Sequence, residues 1–208
     1  GLVSAVERVL LKFEHALPST DVRFLLVTPA MVADPAGELD SILACPDEAG
    51  RAGAYCRLVA EEEERLEKLV LQRIPEWEAA YGIPFTAERV RLIVRHVRDR
   101  QIDAEAAAED VQAVHLAVSD FAAHFSQRNN LDVSFSDGAV DALAQKIWKE
   151  PQDPAEYLGK ALRDYGHGLN LIREKTGKRL FALPADAVER PDYYLNALIQ
   201  EAYRQECP

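Results

Sequence analysis

Apolar positions recur with helical spacing along most of the chain. Between Ala5 and Ala16 they fall at Val6, Val9, Leu10 and Phe13, on one helical face. Pro18-Ser19-Thr20-Asp21 breaks the pattern. Val22–Thr28 (VRFLLVT) reads differently. It is short, almost wholly apolar, rich in β-branched residues and stopped by Pro29, and it predicts a strand buried on both faces. A lone strand cannot satisfy its own backbone groups, so this segment calls for a partner within the chain or in another one. Asp34-Pro35-Ala36-Gly37 signals a turn, Glu38–Ala44 a short helix, and Cys45–Gly53 a loop. Ala54–Tyr81 predicts a long, highly charged helix that Pro75 kinks or divides.

Thr86 and Ser136 have the character of N-caps, whose side-chain oxygens accept from the first free amides of the helices that follow. Around them the sequence echoes itself: Phe85-Thr86-x-x-x-Val90-x-x-Ile93 returns as Phe135-Ser136-x-x-x-Val140-x-x-Leu143. Each copy follows a long amphipathic helix, over 60–81 and 104–128. Duplication of a helical hairpin and coincidence account for the echo equally well, and two copies do not make a solenoid. Further on, the pattern predicts a loop over Lys149–Asp153 and a helix over Pro154–Tyr165. Then come a helix opening on Gly166-His167-Gly168, an apolar edge at Leu180–Leu183, and a last helix over Pro191–Arg204. That last helix is expected to bury Tyr194, Leu195, Leu198, Ile199 and Tyr203. The fold class is therefore mainly α with a short strand contribution.

Composition narrows the functional classes. The 208 residues carry 24 Lys and Arg against 35 Asp and Glu, a net charge of −11, which argues against general attraction to nucleic acid or an anionic membrane. No apolar run approaches the ~20 residues of a membrane-spanning helix. No basic start with a long apolar stretch marks a signal peptide. Three cysteines, Cys45, Cys56 and Cys207, show no paired spacing and fit a reducing cytoplasm. The chain opens on glycine and has a single methionine, Met31, which suggests a piece excised from a longer protein; a processed natural terminus fits as well.

Among chemistry-bearing residues, His167 leads. Its flanking glycines would let a phosphate or a partner backbone come close, although a surface histidine at a helix start fits the same residues. His115 and His124 lie nine apart, and His15 and His96 have no acidic or cysteine partner at ligand spacing, so no metal site is expected. Arg89, Arg91, Arg95, Arg98 and Arg100 make one basic helix beside an apolar side of Val90, Ile93, Val94 and Val97. It reads as a solvated face paired with acids such as Glu61–Glu64 more readily than as a nucleic-acid contact, because aromatic interleaving is missing. Those four acids fall all round their helix and cannot converge on one ion. No G-x-S-x-G and no recognisable Cys/His nucleophile context occurs.

From about Phe121 onward, roughly a third of the chain resembles the C-terminal small domain, the lid, of Clp-type AAA+ unfoldase ATPases. The resemblance rests on Val133-Ser134-Phe135-Ser136, Ala139-Val140-Asp141-Ala142-Leu143-Ala144, Gly168-Leu169-x-x-Ile172, and Leu180-Phe181-Ala182-Leu183-Pro184, in that order. Gly82-Ile83-Pro84-Phe85-Thr86 matches the first step too, so the register is ambiguous. In that family an arginine before Gly-Leu senses the nucleotide γ-phosphate. Here His167 stands at that place, a weaker anion ligand than a guanidinium. The resemblance thus implies weakened or lost sensing, or substitution by Arg163 or Arg173. It also implies subunit packing through Phe181 and Leu183, though an intramolecular apolar plug explains that edge equally well.

No G-x-x-x-x-G-K-S/T phosphate loop occurs, so the chain alone is not expected to bind or hydrolyse ATP. ATP and Mg would be held by a part N-terminal to Gly1. The resemblance then implies residues 1–53 as the end of a larger α/β nucleotide domain or a linker, 54–103 as a helical hairpin, and 104–208 as a helical lid-like small domain. It implies a cytoplasmic ring of subunits acting on a protein substrate or with a protease partner. The alternative from the residues is a non-enzymatic helical interaction module, an adaptor.

Overall fold

A computed structural model describes residues 2–44 and 47–204. The protein is mainly α-helical and divides into two compact units, Gly1–Leu66 and Glu67–Pro208. The expected hairpin over 54–103 is therefore split between them.

In the first unit lie α1 (Leu2–Ala16), a 3-10 turn at Leu17–Ser19, α2 (Pro29–Ala33), α3 (Pro35–Ala44) and the start of α4 (Glu48–Tyr81). The strand expected at Val22–Thr28 does not form: the segment runs without regular structure and pairs with no strand. Its apolar character is used differently. Phe24 rests on Tyr55 with ring centroids 5.2 Å apart, and the Thr28 hydroxyl caps α2 by accepting from the Met31 amide at 3.2 Å. The turn expected at Asp34–Gly37 is instead a helix start. Asp34 Oδ1 accepts from the Gly37 amide at 3.1 Å, with Pro35 in the first turn, where its missing N–H costs nothing. A helix also replaces most of the expected loop at Cys45–Gly53, since Asp47 Oδ1 accepts from the Gly50 amide at 2.9 Å; Cys45 and Pro46 lie outside the described residues. Pro75 does not divide α4, which continues past it to Tyr81.

The second unit holds the end of α4, α5 (Ala87–Arg100), α6 (Ala104–Asn129), β1 (Asp132–Phe135), α7 (Asp137–Lys149), α8 (Pro154–Ala161), α9 (Tyr165–Thr176), β2 (Leu180–Leu183), α10 (Ala185–Glu189) and α11 (Pro191–Arg204). Both expected caps form: Thr86 Oγ1 accepts from the Arg89 amide and Ser136 Oγ from the Ala139 amide, each at 3.2 Å. β1 and β2 pair in parallel, Asp132 against Leu180 through Phe135 against Leu183. A parallel pair needs a long crossover, and α7, α8 and α9 supply it. Val133, Leu143, Leu158, Leu169, Phe181, Leu183, Val188 and Leu195 are among the residues that fill the core of this unit. The phenol of Tyr157 donates to the Val188 carbonyl at 3.0 Å and that of Tyr165 to the Pro191 carbonyl at 2.9 Å, fixing the crossover to the last two helices. The helix expected over Pro154–Tyr165 is broken between α8 and α9. α11 buries Leu195 and half-buries Tyr194, Leu198 and Ile199, but Tyr203 faces out, half-exposed beneath the Lys175 ammonium.

Candidate functional site

α9 begins without a side-chain cap: Asp164 stands at its entry and makes no capping bond. His167 lies in the first turn and is exposed. The glycines beside it have a different use from the one expected. A methyl group at Gly168 would sit 2.8 Å from Leu195 Cδ1, and one at Gly166 would sit 2.4 Å from Asn129 Oδ1. The missing side chains let α9 close on α11 and on the end of α6, so the space is filled by the protein's own residues and not left for a phosphate. Asn170, one turn on, donates to the Gly166 carbonyl at 2.8 Å, and its Oδ1 is buried without a partner. An unpaired acceptor there suits a donor, not an anion.

The three candidate phosphate-sensing residues have different surroundings. Arg163 is 80% exposed and lies against Asp164 at 3.4 Å. The Arg173 guanidinium donates to the Asn130 carbonyl at 3.0 Å, closing the left-handed residue that ends α6. It is six residues from His167, roughly 120° round the helix. On β2, Phe181 and Leu183 point into the core, 3% and 1% exposed, so an interface on this edge would have to use Leu180 and Ala182, which face out.

Two polar clusters were not visible as such in the sequence. In the first, Arg89 is fully buried. Its Nε donates to Asp141 Oδ1 at 2.8 Å and its Nη2 to Asp137 Oδ1 at 3.0 Å, while Nη1 donates to the Pro84 carbonyl. Arg89 thus clasps α5 to α7, the two capped helices of the echo, and is no part of a solvated face. Burial pushes the Asp141 carboxyl above its ordinary value, against the pull of Arg89. His115 on α6 lies close by, and burial followed by the Arg89 charge lowers its pKa, which disfavours an imidazolium beside the guanidinium.

In the second cluster, the His96 ring stacks on Trp148, centroids 3.6 Å apart and 14° from parallel, and donates from Nε2 to Asp110 Oδ2 at 2.8 Å. Beside the stack lie a hollow of about 70 Å³ bordered by Arg95, Gln145 and Lys149, and a broader one of about 490 Å³ bordered by Ile102, Pro151 and Gln152. Arg100 touches both and donates to the Trp148 carbonyl. These contacts join α5, α6 and α7. The signal for both clusters lay in spacing: Arg89, Ile93 and His96 fall at i, i+4 and i+7, on the buried stripe of α5.

No group of three or more His, Cys, Asp or Glu among the described residues could hold a metal ion, and no helix among them is long and apolar enough to cross a membrane. No family model, curated protein or solved structure matches this chain.

Proposed function

We propose that residues 104–208, within the second unit, are a lid of the kind found in Clp-type AAA+ unfoldases, coupling nucleotide state in a larger ATPase to lid movement and to contacts between subunits of a ring. The observation that carries this reading is the β1–β2 pair. The Ser136 amide donates to the Leu183 carbonyl at 3.0 Å, so the Phe135-Ser136 step lies beside Phe181–Pro184. Gly168, Leu169 and Ile172, the remaining piece of the resemblance, are buried in the crossover between them. ATP and Mg would be held by another part of that protein, and His167, exposed in the first turn of α9, would be the lid residue turned toward phosphate. Calorimetric titration of ATP into the longer protein tests this. His167→Ala is expected to weaken nucleotide affinity or slow hydrolysis; unchanged affinity and turnover would remove His167 from the mechanism. Nucleotide hydrolysis by the 208-residue chain alone would overturn the whole reading.

A second reading, a helical module that docks on a partner protein, is favoured by the thin core of the first unit. Phe13 and Met31 are its fully buried apolar side chains among the described residues, whereas Leu11, Val27, Val32 and Leu58 are each at least half exposed. That is little burial for about sixty residues. Amide exchange separates the two: protection of this unit by a protein partner without nucleotide favours the adaptor.

A further inference from the structure

We propose that the outer edge of β2 accepts an added strand from an extended peptide that alternates apolar and acidic residues. This inference is independent of the lid reading. The register and the bonds at the ends of the pair, Asp132 amide to Arg179 carbonyl at 2.9 Å and Ser136 amide to Leu183 carbonyl at 3.0 Å, turn the backbone groups of residues 179, 181 and 183 toward β1. Parallel pairing alternates, so the N–H and C=O of Leu180 and Ala182 face the other way. No other backbone group among the described residues bonds to them there. β1, in contrast, has its Val133 amide covered on the far side by Ser126 Oγ at 2.9 Å. Among the described residues the sheet therefore keeps one bare edge, and Leu180 on it is 65% exposed. Bare edges with exposed apolar side chains are the surfaces that strand addition uses.

Two further features specify the occupant. A groove of about 140 Å³ beside Phe181, with Ile172, Leu198 and Ala202 as its apolar walls, can take an inward-facing side chain from the added strand. At the entrance to β2 stand Lys178 and Arg179, both exposed, with the Lys178 ammonium 5.4 Å from the Phe181 ring centre. In a chain of net charge −11 these cations favour a peptide that carries acidic residues. Glu201 on the groove wall disfavours an acid within it. Backbone pairing would supply the affinity, and the groove and the two cations the selectivity.

The probe is a fluorescein-labelled peptide of sequence Glu-Val-Glu-Leu-Glu-Val, followed by anisotropy at low salt against the full 208-residue chain. Saturable binding is expected, with slowed amide exchange at Leu180 and Ala182. Ala182→Pro deletes an outward N–H and spares the bonds to β1, and it should weaken binding about tenfold or more. Lys178→Gln with Arg179→Gln should weaken it and flatten its salt dependence. If Ala182→Pro does not fold, a peptide N-methylated at alternate residues gives the same information against the unaltered chain and should not bind. The proposal is overturned if the unmodified peptide fails to bind, if the N-methylated peptide or the proline variant binds as well, or if Leu180 and Ala182 are already protected in a dimer seen by sedimentation, which would give the edge to a second copy.

Discussion

Removing the Arg89 charge should be among the most damaging single changes in the second unit. Arg89 is 0% exposed and its two carboxylate partners differ: the Asp141 side chain is 9% exposed, that of Asp137 43%. Arg89→Met keeps much of the volume but strands Asp141 in the core. Breaking a buried pair from one side costs about 3–5 kcal/mol. Asp141→Leu leaves Arg89 its bonds to Asp137 and the Pro84 carbonyl, so the cost should be nearer 2 kcal/mol, that of one lost charged hydrogen bond. Asp137→Ala acts at the exposed rim and should cost about 1 kcal/mol or less. The double change Arg89→Met with Asp141→Leu should recover roughly 2 kcal/mol or more of the summed costs, because no buried charge is left unpaired.

The pH dependence has a fixed sign. Burial raises the folded carboxyl of Asp141 above its unfolded value, so folding takes up a proton, and stability falls as pH rises through the window between the two. Loss of Arg89 removes the charge that holds this carboxyl down and widens the window upward. The deficit of Arg89→Met should therefore shrink on acidification from neutral pH. Urea unfolding followed by the fluorescence of Trp77 and Trp148, both in the second unit, reads these quantities directly. An Arg89→Met deficit below about 1 kcal/mol at neutral pH, or one that grows on acidification, would refute the reasoning.

The two caps of the echo should behave alike: Thr86→Ala and Ser136→Ala are each expected to cost about 1 kcal/mol in urea unfolding, and a negligible effect at either would show that its bond contributes nothing. Glu105 accepts from the Trp77 indole at 3.0 Å, from Arg73 at 2.7 Å and from the Tyr81 phenol at 3.1 Å, and these donors, the indole first, hold its carboxyl below the ordinary value. A depressed carboxyl contributes stability above its unfolded value and loses it as pH falls through the folded one. Wild type should therefore exceed Glu105→Gln in urea midpoint at neutral pH, by a small margin because the pair with Arg73 is exposed, and the two should merge in acid.

Much of this protein was written in local pattern. The caps at Thr86 and Ser136, the buried Val90, Ile93, Val140 and Leu143 behind them, and the helices around them follow from spacing and from side chains that bond within three residues. What local pattern left undecided depends on partners far along the chain. Val22–Thr28 has the composition of a buried strand, yet a strand exists only where another edge is offered, and none pairs with it. The four residues Asp132–Phe135 carry a weaker strand signal and form one because the crossover delivers Leu180–Leu183 alongside. Gly166 and Gly168 looked like an opening for a ligand; only the packing of α6 and α11 shows that Asn129 and Leu195 take up that space. Arg89 counted as a member of a basic helix, and His96 as a histidine without a partner, because charge and spacing are properties of the residue and its near neighbours. Whether a charge is solvated or buried is a property of what packs on it, and only the meeting of α5 with α6 and α7 supplied Asp141, Asp110 and Trp148.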